Sequence, residues 1–299
     1  LSKMQQGLYR QEFEHDSCGI GAVVDLTNEP THETISDALY MLSNMEHRGG
    51  RGSDPKTGDG AGICFQIPHR FLQDVTARTE ILLPPPGQFG LGMTFFPNNK
   101  QLYIKAKALL NELIEELGFV LIGYRKVPVD ETIPGSSALE VMPIIEQVFV
   151  QHKEGLQGLD LERKLYVLRN YSSSKINAEI PGVNHAFYFA SFSSLTVVYK
   201  GQLRTDQVLP FFKDLQNPGL ASAFAIVHSR FSTNTFPNWR LAQPFRYLSH
   251  NGEINTIRGN LTKMKSKEAL MKSSLFTTEE LAKLMPITNK LNSDSANLD

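Results

Sequence analysis

Cys18-Gly-Ile-Gly-Ala-Val-Val-Asp25 is the stretch from which the rest of this 299-residue chain can be read. Seventeen polar and charged residues, LSKMQQGLYRQEFEHDS, stand before it. At Cys18 the sequence turns abruptly small and apolar, the pattern of a short buried strand. Downstream, Ile35, Ala38, Leu39 and Leu42 recur at helical spacing within 33–46. Then His47-Arg-Gly-Gly-Arg-Gly-Ser-Asp-Pro-Lys-Thr-Gly-Asp-Gly-Ala-Gly62 places six glycines in sixteen positions, backbone that must turn tightly or approach something closely. Ile63-Cys-Phe-Gln-Ile67 reads as a second strand, stopped by Pro68.

The segment 68–185 has a different texture. It predicts strands over 90–96, 119–129 and 144–150 and a helix over 160–170. Leu102, Ala106, Leu109, Leu110, Leu113 and Leu117 form a further amphipathic helix closed by Gly118. With no catalytic cluster in it, this stretch reads as an α/β insertion packed against the main domain. Strand patterns return at 187–199 and 221–230, with a helix over 205–215 between them. A strand over 247–253 ends in His-Asn-Gly-Glu, and a helix is predicted from 254 to 271. Mixed strands and helices of this kind indicate α+β layers.

Thirty basic against 31 acidic residues leave a formal charge of −1, so no net field draws the chain to nucleic acid or an anionic membrane surface. No apolar run reaches the ~20 residues that span a bilayer, and the first seventeen residues lack the apolar core of a secretory signal. Two cysteines, Cys18 and Cys64, are too few for a disulfide framework, a four-cysteine zinc site or an iron–sulfur cluster. The expectation is a cytoplasmic protein without a metal of its own.

Four places could carry chemistry. A thiol at the start of a buried strand is ordinarily a small core residue, and Cys64, inside an apolar strand, is read that way. Cys18 differs because it follows a polar leader. Cutting before it would free an α-amine with a pKa of about 7.7–8.0, beside a thiol at about 8.5, the arrangement of a nucleophile activated by its own amine. In His228-Ser-Arg-Phe-Ser-Thr-Asn-Thr-Phe-Pro-Asn-Trp239, Arg230 at a strand end could fork onto a carboxylate. The Asn-Gly pair of His250-Asn-Gly-Glu253 is either a plain turn or the side-chain amide and free N–H of an oxyanion hole. Ser293-Asp-Ser-Ala296 holds a lone acid among small residues. Three other readings compete. One is a Cys–His hydrolase drawing on His15, His47, His228 or His250. Another is a binding module built on Arg48-Gly-Gly-Arg-Gly, although the Walker spacing is absent and RNA-binding Arg-Gly-Gly segments are usually repeated. The last is a non-catalytic scaffold.

Taken in order, Cys-Gly-Ile-Gly, the His-Arg-Gly loop, His-Ser-Arg-Phe-Ser-Thr, His-Asn-Gly-Glu and Ser-Asp-Ser resemble the motifs of class II glutamine amidotransferases, which are N-terminal nucleophile (Ntn) hydrolases. His47-Arg-Gly-Gly with Thr57-Gly-Asp-Gly-Ala-Gly62, and Asn234-Thr-Phe-Pro-Asn-Trp-Arg-Leu-Ala-Gln-Pro-Phe245, are similar to the amidotransferase domain of glutamate synthase large subunits. The resemblance runs from Cys18 to Asp299. It implies an αββα sandwich of two antiparallel sheets between helical layers. In it Cys18 would attack the side-chain amide of L-glutamine, and Asn251 with the Gly252 N–H would hold the oxyanion. Arg230 would pair with the substrate α-carboxylate, Asp294 with its α-ammonium, Arg48 would line the pocket near the nucleophile, and Thr233 would help hold the substrate. Residues 1–17 would be a propeptide, and 18–299 a C-terminally truncated domain, because an Ntn sandwich needs further strands. The full-length enzyme would be an oxidoreductase with FMN and an iron–sulfur cluster, neither held by this stretch. Its partners would be the remaining synthase domains and a small reductase subunit or ferredoxin.

Overall fold

The computed structural model describes residues 18–50, 54–231, 236–251 and 256–299, and the architecture is that of these residues. The strands are β1 (Gly19–Val24), β2 (Ala61–Gln66), β3 (Gly90–Phe96), β4 (Phe119–Lys126), β5 (Ile144–His152), β6 (Tyr188–Ser193), β7 (Thr196–Gly201) and β8 (Phe224–Ser229). The helices are α1 (His32–Ser43), α2 (His69–Thr76), α3 (Lys100–Glu116), α4 (Ser136–Glu140), α5 (Gly158–Glu179), α6 (Val208–Phe211), α7 (Ile257–Glu268), α8 (Thr278–Lys283) and α9 (Asp294–Leu298). Two four-stranded sheets result, ordered β1-β8-β2-β7 and β4-β5-β3-β6, with every pairing antiparallel.

Local chemistry explains the elements. Thr31 caps α1 by accepting the Thr34 N–H at 3.2 Å, and Ile35, Ala38, Leu39 and Leu42 bury the face it turns inward. The α3 stripe is capped by Asn99 and ended by Gly118 at φ +81°, a conformation in which a side chain would be strained. One apolar cluster joins α1 to strands of both sheets, with Ile63, Phe65 and Tyr199 facing Met93, Phe95 and Phe149. A second gathers Leu110, Ile114, Leu161 and Leu168 of α3 and α5 with Val148 and Phe192 of the second sheet. Helices therefore pack on both sheets of the αββα sandwich. Among the described residues no helix is long and apolar enough to cross a membrane.

Several expectations change. Residues 68–185 supply three of the four strands of the second sheet, so this stretch is built into the sandwich rather than added to it. A buried polar knot joins it to the rest. Gln147 donates to the Tyr199 hydroxyl at 2.9 Å, Tyr199 donates to Asp214 at 2.9 Å, and Arg125 grips Asp214 with two bonds at 2.7 and 2.8 Å. The strand pattern over 187–199 is two strands, β6 and β7. Glu162 of α5 accepts the Ser194 N–H and hydroxyl, the latter at 2.6 Å, and the chain turns there from the second sheet into the first. The helix expected over 205–215 breaks into α6 between two short 3₁₀ turns, because Phe212 adopts extended backbone. The described part of 247–253 forms no strand; its backbone is drawn instead into the bonds of His250 described below.

Candidate active site

Cys18 immediately precedes β1, and Arg230 immediately follows β8. The register pairs Gly19 with Ser229, so the two residues leave neighbouring strands at the same edge of the sheet. Cys18 takes a left-handed φ of +50°, uncommon for a residue with a side chain. Its sulfur receives the Phe231 N–H at 3.3 Å and lies 3.7 Å from the Phe231 carbonyl. Burial pushes the thiol pKa up. The Phe231 backbone bond and the Arg230 guanidinium pull it down, and the carboxylates of Asp59 and Asp294 push it up again. Cysteine, arginine and two acids, from four distant parts of the sequence, thus share one electrostatic neighbourhood.

Arg230 is 5% exposed. Its backbone N–H donates to the Gly60 carbonyl at 2.8 Å and its guanidinium to the Asp59 carbonyl at 3.2 Å. Burial lowers its pKa, opposed by Asp59, the Cys18 thiol and Asp294; an arginine so placed stays charged. Asp59 is held in turn by the glycine loop, its N–H donating to the Gly50 carbonyl at 3.1 Å. A Cβ on Gly50 would stand 2.0 Å from an Asp59 carboxylate oxygen, so the missing side chain at position 50 is the space the carboxylate occupies. In the sequence Asp59 carries no motif of its own. Its one signal there is an acid between glycines in Thr57-Gly-Asp-Gly, and its meaning depends on an arginine 171 positions away.

Arg48 ends a 3₁₀ turn, Glu46–Arg48, and its Nε–H donates to the Cys18 carbonyl at 3.0 Å. It touches the backbone of the thiol-bearing residue. Asn251 lies in the loop after His250, and that loop is tied down twice. His228 Nε2 donates to the His250 carbonyl at 2.8 Å, and His250 Nε2 bonds the Ser295 hydroxyl at 2.7 Å. Ser295 then donates its N–H and hydroxyl to Asp294 at 2.6 and 3.1 Å, while Ser293 caps α9 through the Ala296 N–H at 3.2 Å. The Asn251 loop and the Asp294 turn are thereby one hydrogen-bonded unit. Gly252 and Thr233 lie outside the described residues, as do residues 1–17.

The histidines do other work than a Cys–His pair requires. His228 is fully buried, its Nε2 proton is committed to a carbonyl, and burial holds its pKa down at about 4, so it is neutral. His250 is bonded to Ser295, and among the described residues no imidazole bonds the thiol or shifts it; His15 lies outside them. Cys64 is a core residue, its thiol pushed up to about 12 by burial. Among the described residues no group of three His, Cys, Asp or Glu could hold a metal ion.

The family model of glutamine amidotransferases, class II, matches residues 18–299. The chain is 48% identical over 297 residues to the glutamate synthase (NADPH) large chain of Bacillus subtilis, covering 98% of this chain and 19% of that one. It is 41% identical over 305 residues to the glutamate synthase (NADH) of Saccharomyces cerevisiae, covering 99% and 14%. It is also 41% identical over 286 residues to the ferredoxin-dependent glutamate synthase 2 of Synechocystis sp., covering 96% and 18%. The chain spans less than a fifth of the length of these curated relatives. The chain belongs to the class II glutamine amidotransferases.

Proposed function

We propose that the chain is the glutaminase part of a glutamate synthase, releasing ammonia from L-glutamine through a thioester on Cys18. The observation that carries this reading is the meeting of the Cys18 thiol with Arg230 and Asp294. A fixed cation and a fixed anion beside one nucleophile suit the zwitterionic end of an amino acid, Arg230 taking the α-carboxylate and Asp294 the α-ammonium. Thr233 would help to hold the same end, and Arg48, through the Cys18 carbonyl, keeps the nucleophile in its left-handed conformation.

The chemistry follows from these positions. With residues 1–17 removed as a propeptide, the freed Cys18 amine takes the thiol proton, and the sulfur adds to the side-chain carbonyl carbon of glutamine. Negative charge develops on the oxygen, where the Asn251 amide and Gly252 N–H are the donors. The intermediate collapses by breaking the C–N bond, the amine returns its proton to the departing nitrogen, and ammonia leaves a γ-glutamyl thioester on Cys18. Water, deprotonated by the same amine, then releases glutamate and the free thiol.

In the longer polypeptide the ammonia would feed reductive amination of 2-oxoglutarate, with FMN and an iron–sulfur cluster carrying the electrons and a small reductase subunit or ferredoxin delivering them in the cytoplasm. Two cysteines in this chain are fewer than the four thiolates such clusters use, so those groups belong to the remaining synthase domains. The test uses the full-length polypeptide. Cys18→Ala should abolish ammonia release from glutamine while synthesis from added ammonia continues. Asn251→Ala should lower kcat by roughly 10²–10³ with a smaller change in KM. Glutaminase activity persisting in Cys18→Ala would overturn the reading.

A further inference from the structure

Away from the cysteine, α5 and the residues around 286–299 enclose a polar cavity of about 660 Å³. Arg169, Arg240 and Arg246 line it, and Lys200 is buried close by, its charge felt by Arg246's partner Tyr188. The carboxylate facing this cationic group is Asp299. That carboxylate is already engaged, pairing with Arg246 at 2.5 Å and accepting the Tyr247 N–H at 2.8 Å. Arg240 donates to Asn292 and to the Leu291 carbonyl, and Lys200 to the Tyr188 hydroxyl and the Arg240 carbonyl.

Arg169 is different. It is 6% exposed, and its contact among the described residues is the ring face of Tyr166, 5.2 Å from the guanidinium carbon. No acceptor among the described residues takes its protons. Burial and the neighbouring Arg246 bring its pKa down to about 10, which still leaves it charged. The Nε–H of Arg246 is buried without an acceptor and Asp299 Oδ2 without a hydrogen-bond donor, whereas the guanidinium of Arg169 opens onto the cavity it lines. A buried guanidinium lacking an acceptor is costly, and a buried cluster with several cations to one acid multiplies that cost.

We propose that this cavity is a carboxylate-binding site, separate from the cysteine site, whose anchor is Arg169. One unsatisfied planar fork calls for one planar, singly charged acceptor, which a carboxylate supplies through two parallel bonds. The carboxylate has two possible sources, a free carboxylic acid or an Asp or Glu side chain from elsewhere in the longer polypeptide.

Thermal unfolding of the amidotransferase domain within the full-length polypeptide, followed at constant ionic strength, separates them. If the source is free, succinate raises the transition of the wild type by several degrees and leaves Arg169→Met unmoved. If it is part of the polypeptide, succinate does nothing, while Arg169→Met strands a buried carboxylate and lowers the transition by more than the ~2–4 °C of a 1 kcal/mol loss, with Arg169→Lys recovering part of the loss. Tyr166→Leu, which removes the cation–ring contact and leaves the charge, is the control. The proposal is overturned if succinate is silent and Arg169→Met is as stable as the wild type or loses no more than Tyr166→Leu. It is overturned equally if phosphate stabilises as well as succinate does.

Discussion

The backbone N–H of Phe231 points at the sulfur of Cys18 across 3.3 Å, although 213 positions separate the two residues in sequence. This contact and the Arg230 charge favour the thiolate, while burial and two carboxylates disfavour it, and the balance lies on the side of a raised pKa. The sign of each contribution can be read separately. Alkylation of Cys18 by iodoacetamide, followed by mass mapping of its peptide, should have its midpoint above the ordinary thiol range near 8.5. Arg230→Met should move the midpoint up and Asp59→Asn should move it down. Cys64, pushed up to about 12, stays silent under the same conditions. A midpoint unmoved by either substitution would mean that these charges do not reach the sulfur.

Substrate grip should fail at either end of the proposed clamp. Arg230→Lys keeps the charge of a side chain that is buried among Asp59, Cys18 and Asp294 but loses its fork. A charge-assisted bond of ~1.5–3 kcal/mol corresponds to a KM for glutamine raised about 10- to 150-fold, with kcat changed less. Asp294→Asn should do the same at the ammonium end. It should leave α9 capped, because the cap is the Ser293 hydroxyl. Unchanged KM in both variants would place the zwitterion elsewhere.

The proposed maturation step gives a third expectation. While Cys18 is joined to Ser17 its nitrogen is an amide and cannot accept a proton, so the precursor should bind glutamine and release no ammonia. Intact-mass measurement and N-terminal sequencing of active protein should show a chain beginning Cys-Gly-Ile-Gly. Full glutaminase activity in protein that retains residues 1–17 would show that another base serves the thiol.

What could be read in advance divides along physical lines. β1, α1, β3 and α3 were legible because their patterns are local: a small apolar run, a helical stripe, a glycine that ends it. The turn between β6 and β7 was not, because only the pair Ser193-Ser194 marks it, with no glycine, proline, asparagine or aspartate there. What bends the chain is Glu162, recruited from α5 thirty-two positions earlier. The stretch from Tyr247 reads as a strand ending in His-Asn-Gly-Glu, yet the His250 carbonyl is bonded to His228 and its ring to Ser295, contacts no local rule foresees. Cys18, Arg230, Asn251 and Asp294, the residues proposed to act, stand out by their motifs. Asp59 does not, since only the fold brings it beside Arg230.

His228 supplies the last prediction, a dependence of stability on pH. Its ring is buried, its Nε2 proton is fixed on the His250 carbonyl, and its other nitrogen has no partner among the described residues. Desolvation, with the charges of Arg230 and Lys200 nearby, lowers its pKa to about 4, against about 6.5 in an unfolded chain. Between those values the unfolded state binds a proton that the folded state refuses, so stability must fall as pH falls from 6.5 toward 4. For this group alone the loss is about 2 kcal/mol at pH 5 and about 3 kcal/mol near pH 4. Glutamine at position 228 keeps an N–H donor for the His250 carbonyl but cannot titrate. Urea unfolding of the wild type and His228→Gln at pH 7 and pH 5 should therefore give a smaller pH-dependent loss in the variant, by roughly that 2 kcal/mol. Equal losses in the two proteins would mean that His228 is already protonated, or reached by water, in the folded chain. The neutral ring beside Arg230 could then no longer be part of how the Asn251 loop is held.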